Sequence, residues 1–370
     1  MLNETVSVDD LRSMLESGRR ITVLDVRPAA ERAELWIPGS LHIDVYNRLK
    51  AGDTAALSDF RPPRDTLVVT VCASGKTSLV AAEQLRGRGV TACSLEGGMR
   101  AWSLAWNLAE VPVTGLGETR IVQVRRTGKG CLSYLIGSSG GAVVIDPSLA
   151  PRVYLNLAEE RGWRVEVVLE THIHADHLSR ARSLARQASA RLLYPEQDRL
   201  CYPHDKAVNG EQIAFGGPRL EALHTPGHTW ESTCYLLEGK ALFSGDTLFL
   251  DGVGRPDLHA GTEERLTKAH ALYGSLQRLR QLPPNVLVLP SHTGKPAEFD
   301  GRPLVSTLAD LFESVALLGC SEDEFVRSIL ARTPPTPPNH LRIIEHNEAG
   351  DFPEEDVIDL EAGANRCAVA

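Results

Sequence analysis

Three histidines and one carboxylate fall within six residues of this chain, directly after an apolar run at 165–169. The side chains are those of His172, His174, Asp176 and His177. A loop at the end of a strand can point several side chains into one cavity, which a position inside a helix could not. Imidazole and carboxylate together suit Zn²⁺ or Fe²⁺. The alternative is a histidine-rich turn that faces solvent and binds nothing.

Three later segments each add one polar residue of the same kind. His228 lies in the turn Thr-Pro-Gly-His-Thr at 225–229, where proline fixes φ and glycine permits unusual backbone angles. Asp246 follows the apolar run 241–243, and His292 follows the run 286–289. Each residue alone is weak support, but four polar clusters in this order, each at the end of a predicted strand, predict a metal site.

This ligand order, HxHxDH followed by His, Asp and His, resembles the metallo-β-lactamase superfamily over roughly residues 119–350. Within it, glyoxalase II enzymes use all these ligands to hold two metal ions and hydrolyse thioesters of glutathione. Persulfide dioxygenases keep the motif but hold one iron with two histidines and one carboxylate. The stretches that look like the dioxygenase branch are 170–178, 248–258 and 337–340. The pair Ser179-Arg180 departs from it, because a small residue such as glycine commonly follows in relatives.

The dioxygenase resemblance implies one Fe(II) per chain, held by the residues His172, His228 and Asp246. The other polar residues would then orient ligands or shape the oxygen pocket; they are His174, Asp176, His177 and His292. In the hydrolase alternative these residues hold a second metal, with two zinc ions per chain. A triad of this kind leaves open positions on one face of the iron for a persulfide sulfur and O₂. The implied reaction is oxidation of glutathione persulfide, or of another low-molecular-weight persulfide, to sulfite and thiol.

Arg255 is the candidate for binding a substrate carboxylate, because a guanidinium group recognises carboxylates with two parallel hydrogen bonds. The alternative is a structural ion pair between Arg255 and Asp257.

A second reactive group is predicted at Cys72, which ends the apolar run 66–71 and is followed by a short loop and a helix. Successive backbone N–H groups in such a loop form an anion cradle, which lowers a thiol pKa and makes the thiolate available. The loop residues are Ala73, Ser74, Gly75, Lys76 and Thr77. The alternative is an inert core cysteine. The run Gly-Lys-Thr-Ser is not a nucleotide-binding loop, because Thr70 stands where that motif requires glycine.

The surroundings of Cys72 resemble the rhodanese family over residues 5–110, through motifs at 24–31, 36–43 and 95–102. The resemblance implies that Cys72 carries a persulfide sulfur held by the N–H groups of residues 73–77. Many relatives have arginine where this chain has Thr77, which leaves open whether thiosulfate or another sulfane sulfur compound is the donor. The two halves suggest that Cys72 supplies the persulfide that the second half oxidises.

The pattern of elements predicts an α/β protein with two domains and a tail. A rhodanese-like parallel-sheet domain is expected at 1–113, because short β-branched runs alternate with helical stretches. A metallo-β-lactamase αββα sandwich is expected at 114–350, beginning with an antiparallel meander. Residues 351–370, acidic at first and then containing glycine and asparagine, are expected to form a surface tail that carries an exposed thiol at Cys367.

Composition excludes several classes of partner. The net charge of −9 and the lack of a Lys/Arg cluster argue against nucleic acid and against an anionic membrane surface. No apolar run approaches the roughly 18 residues of a membrane helix, and the N-terminus lacks the features of a signal peptide. Seven scattered cysteines, an odd number, predict free thiols in the reducing cytoplasm. The sequence does not decide between a monomer and a homo-oligomer.

Overall fold

The computed structural model of the protein describes residues 3–353 and 357–370. Its first sheet is fully parallel, as predicted, with the strand order β1-β5-β4-β2-β3. The strands are β1 (Thr5–Val6), β2 (Ile21–Asp25), β3 (Leu41–His42), β4 (Leu67–Val71) and β5 (Ala92–Leu95). Helices cover both faces of this sheet: α1 (Val8–Glu16), α2 (Ala29–Glu34), α3 (Tyr46–Lys50), α4 (Lys76–Gly87) and α5 (Gly98–Trp102).

The second sheet has seven strands in the order β12-β11-β10-β9-β8-β7-β6. They are β6 (Asn107–Val111), β7 (Arg120–Arg126), β8 (Cys131–Ser138), β9 (Gly141–Ile145), β10 (Arg164–Leu169), β11 (Arg191–Pro195) and β12 (Asp205–Ala207). Strands β6 to β9 pair antiparallel, which confirms the predicted meander, and the rest pair parallel. Helices α6 (Pro151–Glu159) and α7 (Ala181–Ala188) pack on the outer face.

The third sheet has the order β13-β14-β15-β16-β18-β19 and is antiparallel except for the pair β16–β18. Its strands are β13 (Gln212–Ala214), β14 (Arg219–His224), β15 (Thr233–Leu237), β16 (Ala241–Gly245), β18 (Leu287–Pro290) and β19 (Ser306–Thr307). Its outer face carries α8 (Thr262–Leu279), α9 (Leu308–Ser314), the 3₁₀ turn Ala316–Gly319 and α10 (Glu322–Ala331). The remaining elements are α11 (His340–Ala349), α12 (Val357–Leu360) and a two-stranded ribbon of β17 (Val253–Gly254) and β20 (Ala368–Val369).

A continuous apolar core lies between the second and third sheets. It includes Ile136, Leu169, Tyr235 and Phe243, which all have almost no exposed surface. Helices lie outside both sheets, so this part of the chain is the predicted αββα sandwich. Within the described residues, no helix is long and apolar enough to cross a bilayer.

The chain joins the second sheet earlier than the predicted domain boundary. Strand β6, which the sequence assigned to the first domain, pairs along its whole length with β7. The indole ring of Trp102 is buried in the apolar cluster of the first sheet, with Ala105 beside it. The first domain's last apolar contacts therefore come just before residue 107, and the boundary at 113 stays a prediction.

The expected surface tail is wrong for the described part of residues 351–370. Glu361, Cys367 and Val369 have 0%, 1% and 1% of their surface exposed. The carboxylate of Glu361 lies 2.5 Å from the guanidinium of Arg126 and accepts a hydrogen bond from the Leu178 N–H at 2.7 Å. The acidic composition suggested solvent exposure, but a buried arginine elsewhere in the chain supplies the partner that lets this carboxylate enter the core.

Replacing Glu361 with glutamine should destabilise the fold by about 3–5 kcal/mol, because it leaves Arg126 buried without a countercharge. The midpoint of urea unfolding measures this loss. Asp205→Ala is the control, since Asp205 pairs with Arg191 at 3.0 Å and both side chains are more than half exposed. That exposed pair should contribute only about 0–1 kcal/mol. Equal effects of the two substitutions would contradict a buried, energetically important pair.

The difference in the free energy of unfolding between the wild-type protein and Glu361→Gln should also depend on pH. Burial acts to raise the pKa of Glu361, but Arg126 and Arg180 outweigh it and hold the pKa below its usual value. Because the folded pKa is the lower one, the carboxylate contributes its full stability above the unfolded pKa of about 4.3 and loses it as the pH falls through the folded pKa. The gap between wild type and Glu361→Gln should therefore shrink below about pH 4. Urea unfolding at a series of pH values measures it.

Candidate metal centre and sulfur-transfer loop

The predicted metal residues come together at one edge of the sandwich. The loop 170–180 follows β10, His228 follows β14, Asp246 follows β16 and His292 follows β18. Because β10 and β16 belong to facing sheets, their ends meet above the common core. All seven predicted metal residues are buried, each with at most 2% of its surface exposed.

Three of these residues point one atom each at a common position. The Nε2 atoms of His172 and His228 lie 3.7 and 3.5 Å from Oδ2 of Asp246. Each of the three offers one ligand atom within 4.8 Å of the others. Oδ2 of Asp246 is buried and has no hydrogen-bond partner in the described chain. A buried carboxylate oxygen without a partner fits a cation at this position, since such an atom is otherwise costly to bury.

Both histidines are held with Nε2 free to bind. Nδ1 of His228 donates to the carbonyl oxygen of Arg255 at 2.8 Å. Nδ1 of His172 lies 2.9 Å from the Thr171 hydroxyl, which in turn donates to Asp146 at 2.8 Å. Because that hydroxyl gives its hydrogen to Asp146, its oxygen accepts from His172. Both rings therefore present the Nε2 lone pair that a metal requires.

The charge states of these groups also suit a metal. Burial lowers the pKa of His228 and, with the neighbouring His174, holds that of His172 well below its usual value. Burial acts to raise the pKa of Asp246, but His292 outweighs it and holds the pKa below its usual value. Neutral imidazole and ionised carboxylate are the protonation states in which these side chains bind metals.

His174 lies next to this group of three, with its ring centre 4.0 Å from that of His172, but it has contacts of its own. Its Nε2 lies 2.9 Å from Glu170 and 3.4 Å from Asp146, two buried carboxylates. Asp146 also accepts hydrogen bonds from the Thr171 N–H at 2.7 Å and from the Ser291 hydroxyl. Nδ1 of His174 is buried and has no hydrogen-bond partner among the described residues, so its predicted role in orienting the ligands stays a prediction.

The other predicted residues form a second buried group that includes an unpredicted thiol. Cys131, Asp176, His177 and His292 each offer one ligand atom within 4.8 Å of the others. Burial and Asp176 act to raise the pKa of the Cys131 thiol, but His177 and His292 outweigh them and bring it to about 7. Nδ1 of His292 also lies 2.6 Å from Oδ1 of Asp246, so this carboxylate contacts both groups.

The C-terminal segment completes the shell around the metal residues. The amide of Asn365 donates to Asp176 at 2.8 Å, and Cys367 has its sulfur within 4.8 Å of ligand atoms of Asp246 and His292. The Arg255 N–H donates to the Cys367 carbonyl at 3.0 Å, next to the carbonyl that holds His228. These contacts were missed because nothing in the local sequence of the tail marks it as part of a site.

Arg255 does not face a substrate cavity. Its guanidinium is fully buried and forms two 2.8 Å hydrogen bonds with Asp257. The remaining N–H groups donate to the carbonyl oxygens of Pro334, Pro335 and Arg366. With its donors occupied, Arg255 is the structural ion pair of the alternative interpretation, and the substrate-binding prediction for it is wrong.

Two glycines allow the ligand loops to approach closely. Gly227 has φ of +143°, and a Cβ there would come 2.3 Å from the Cβ of Leu272 on α8. A Cβ on Gly254 would meet the Asp246 carbonyl oxygen at 1.9 Å and the His228 Cβ at 3.0 Å. The turn at 225–229 thus uses its glycine as the sequence predicted.

In the first domain, Cys72 directly follows β4 and is buried, with 1% of its surface exposed. Its sulfur accepts hydrogen bonds from the backbone N–H and the hydroxyl of Ser78, both at 3.3 Å. Gly75 precedes α4 with φ of +86°, and Lys76 begins that helix with an exposed side chain. Ser78 lies one residue beyond the predicted cradle of residues 73–77. The cradling role of those five residues stays a prediction.

Residues 126–292 match the family model of the metallo-beta-lactamase superfamily, and residues 7–105 match that of the rhodanese-like domain. A hydroxyacylglutathione hydrolase from Methylobacillus flagellatus is 33% identical over 212 residues, which cover 57% of this chain and 78% of the hydrolase. The chain belongs to the metallo-β-lactamase superfamily. It is a metal-dependent enzyme of that fold with a rhodanese-like domain before it.

Further similarities within the superfamily concern the same part of the chain. A hydroxyacylglutathione hydrolase from Rhodospirillum rubrum is 36% identical over 158 residues, covering 42% of this chain and 58% of the hydrolase. The crystal structure of a metallo-beta-lactamase from Staphylococcus aureus subsp. aureus COL matches with TM-score 0.59 and 28% identity, over 64% of this chain and 75% of that one. The structure of ETHE1 from Myxococcus xanthus matches with TM-score 0.55 and 28% identity, over 63% of this chain and 99% of that one.

Proposed function

We propose that the chain is an iron-dependent persulfide dioxygenase with an active sulfurtransferase domain. The observation that carries the proposal is the group of His172, His228 and Asp246, beside which Nε2 of His174 contacts Glu170 and Asp146 instead. Two histidines and one carboxylate with open positions are the ligand set of non-haem Fe(II) oxygenases. Iron bound there would supply adjacent positions for O₂ and the persulfide sulfur.

In this proposal the remaining residues hold the reacting groups in place. The Thr171 hydroxyl, which donates to Asp146, and the Arg255 carbonyl accept hydrogen bonds from Nδ1 of His172 and His228 and fix the two rings. Nδ1 of His292 donates to Oδ1 of Asp246, which leaves Oδ2 of the same carboxylate for the metal. The buried surroundings exclude bulk water from the ligands. One persulfide, one O₂ and one water give sulfite and the thiol, with two protons released.

The first domain is proposed to make the persulfide. The Cys72 thiolate would take the outer sulfur of thiosulfate, releasing sulfite, and pass that sulfur to a small thiol. The two hydrogen bonds from Ser78 would stabilise the negative charge on the Cys72 sulfur before and after each transfer. The product of the first domain is then the substrate of the second.

A two-metal hydrolase of glutathione thioesters is the second candidate. It is favoured by the buried group of Cys131, Asp176, His177 and His292, in which Nε2 of His177 has no hydrogen-bond partner among the described residues and Nε2 of His292 lies 2.8 Å from Asp176. The hydrolase relatives fit this candidate, and the similarity to ETHE1 fits the dioxygenase.

Oxygen uptake separates the two candidates. Protein purified anaerobically and loaded with iron should consume O₂ on addition of glutathione persulfide and form one sulfite per O₂. The same protein should not hydrolyse S-lactoylglutathione at a comparable rate. Thioester hydrolysis without oxygen uptake would reject the dioxygenase.

A further inference from the structure

The carboxylates of Asp176 and Asp246 are held alike at one oxygen and differ at the other. Oδ1 of Asp176 lies 3.1 Å from Nδ1 of His177. Oδ1 of Asp246 lies 2.6 Å from Nδ1 of His292, and its Oδ2 is buried with no hydrogen-bond partner in the described chain. Oδ2 of Asp176 instead accepts a hydrogen bond from the side-chain amide of Asn365 at 2.8 Å. Of the two carboxylates, Asp246 alone therefore keeps an oxygen free for a cation.

The amide of Asn365 is a fixed donor. Nε2 of His292 also lies 2.8 Å from Oδ2 of Asp176, but an imidazole can give up its proton and bind a metal through the same nitrogen. An amide N–H₂ group donates hydrogen bonds and accepts none. Oδ1 of Asn365 accepts the backbone N–H of Cys367 at 2.9 Å, so the N–H₂ end faces Asp176. Asn365 therefore donates to Oδ2 whatever the protonation of the neighbouring histidine.

The backbone is anchored on both sides of Asn365. On the N-terminal side, the buried ammonium group of Lys129 donates to the carbonyl oxygens of Glu361 and Gly363 at 2.9 and 3.1 Å. On the C-terminal side, strand β20 begins three residues after Asn365 and pairs with β17. These two anchors fix where the amide group lies.

A second metal ion would need the oxygen that Asn365 occupies. The second buried group consists of Cys131, Asp176, His177 and His292, and its one carboxylate is that of Asp176. Nε2 of His177 has no hydrogen-bond partner in the part of the chain that the structure describes, so it is the atom that would bind an ion. Nδ1 of His177 then keeps its proton and its contact with Oδ1. Oδ2 is left for the ion, and it already accepts from Asn365.

We propose that Asn365 is a positioning residue that makes the metal centre bind one metal ion rather than two. It acts through Asp176, because its hydrogen bond to Oδ2 must break before that oxygen can bind an ion. The assignment of the first ion to His172, His228 and Asp246 rests on the proposed function. The role of Asn365 rests on its own contacts and is independent of what the first ion catalyses.

Dialysis of the full-length protein against increasing concentrations of Zn(II) alone, followed by metal analysis, tests this role without turnover. The wild-type protein should hold one metal ion per chain. Asn365→Ala should hold two, with the second bound about tenfold or more tightly than by the wild type, because contacts behind a ligand change metal affinity by about 10–100-fold. Asn365→Asp, which keeps the shape of the side chain without its donor, should also hold two. Damage to the fold lowers metal content, so it would not imitate this gain.

Asp359→Ala is the matched control, because Asp359 lies in the same C-terminal segment and pairs with Arg100 of α5, with both side chains more than half exposed. It should keep one metal ion per chain. A second ion in Asp359→Ala, no second ion in either Asn365 variant, or two ions in the wild-type protein would overturn the proposal. Oxygen uptake by the iron-loaded wild type is measured separately. One metal ion per chain without uptake would reject the dioxygenase and leave the role of Asn365 intact.

Discussion

His228→Ala should lower the rate of oxygen consumption with glutathione persulfide by about 100-fold or more. The substitution removes one of three converging ligand atoms, and the loss of a residue that merely supports a ligand already costs about 10–100-fold. The purified variant should also contain less iron than the wild-type protein. Oxygen uptake at saturating persulfide and metal analysis of the same sample measure both effects.

The control for this substitution is His224→Ala, four residues earlier. His224 is exposed, and its ring contacts only the Trp230 carbonyl oxygen at 2.8 Å among the described residues. It should keep wild-type iron content and activity. A fully active His228→Ala protein with normal iron would show that the metal residues have been assigned wrongly.

Cys72→Ser should abolish sulfur transfer from thiosulfate to glutathione, by at least about 10³-fold, because a hydroxyl cannot replace the thiolate nucleophile. Oxygen uptake driven by thiosulfate plus glutathione should therefore stop. Uptake with added glutathione persulfide should stay at the wild-type rate, since Cys72 is not among the metal residues. Parallel oxygen-electrode assays with the two substrates measure the separation.

Cys93→Ser is the matched control, because Cys93 is a buried cysteine on the neighbouring strand β5. Burial raises the pKa of its thiol, so it is not a nucleophile at neutral pH. This variant should keep both activities. Thiosulfate-dependent oxygen uptake that persists in Cys72→Ser would exclude a shared persulfide made at Cys72.

Much of the metal centre was predictable because its signals are local. His172 to His177 lie on one loop, and the turn with Gly227 and the strand before Asp246 are short patterns that fix their own geometry. Three strands of the first sheet, β2, β4 and β5, were predictable for the same reason, because each lies in a short apolar run; β1 and β3, each two residues long, were not predicted.

The remaining contacts depend on distant segments. Cys131 meets His292 only because β8 lies next to the end of β18, where the two residues form an isolated bridge. Asn365 reaches Asp176 because the last residues of the chain return to β17. Such contacts follow from how the two sheets pack, and no pattern within either segment encodes them. Arg255 was misassigned for a related reason, because its carbonyl partners come from the segments at 334–335 and 366.

The dioxygenase differs from the hydrolase in binding one metal ion, at His172, His228 and Asp246. Metal analysis of protein reconstituted anaerobically with excess Fe(II) and Zn(II), followed by oxygen uptake with glutathione persulfide, addresses it most directly. We expect one tightly bound iron per chain, lost in His228→Ala and kept in His177→Ala, with oxygen uptake proportional to iron. Two metal ions per chain, lost in both variants, together with thioester hydrolysis and no oxygen uptake, would contradict it.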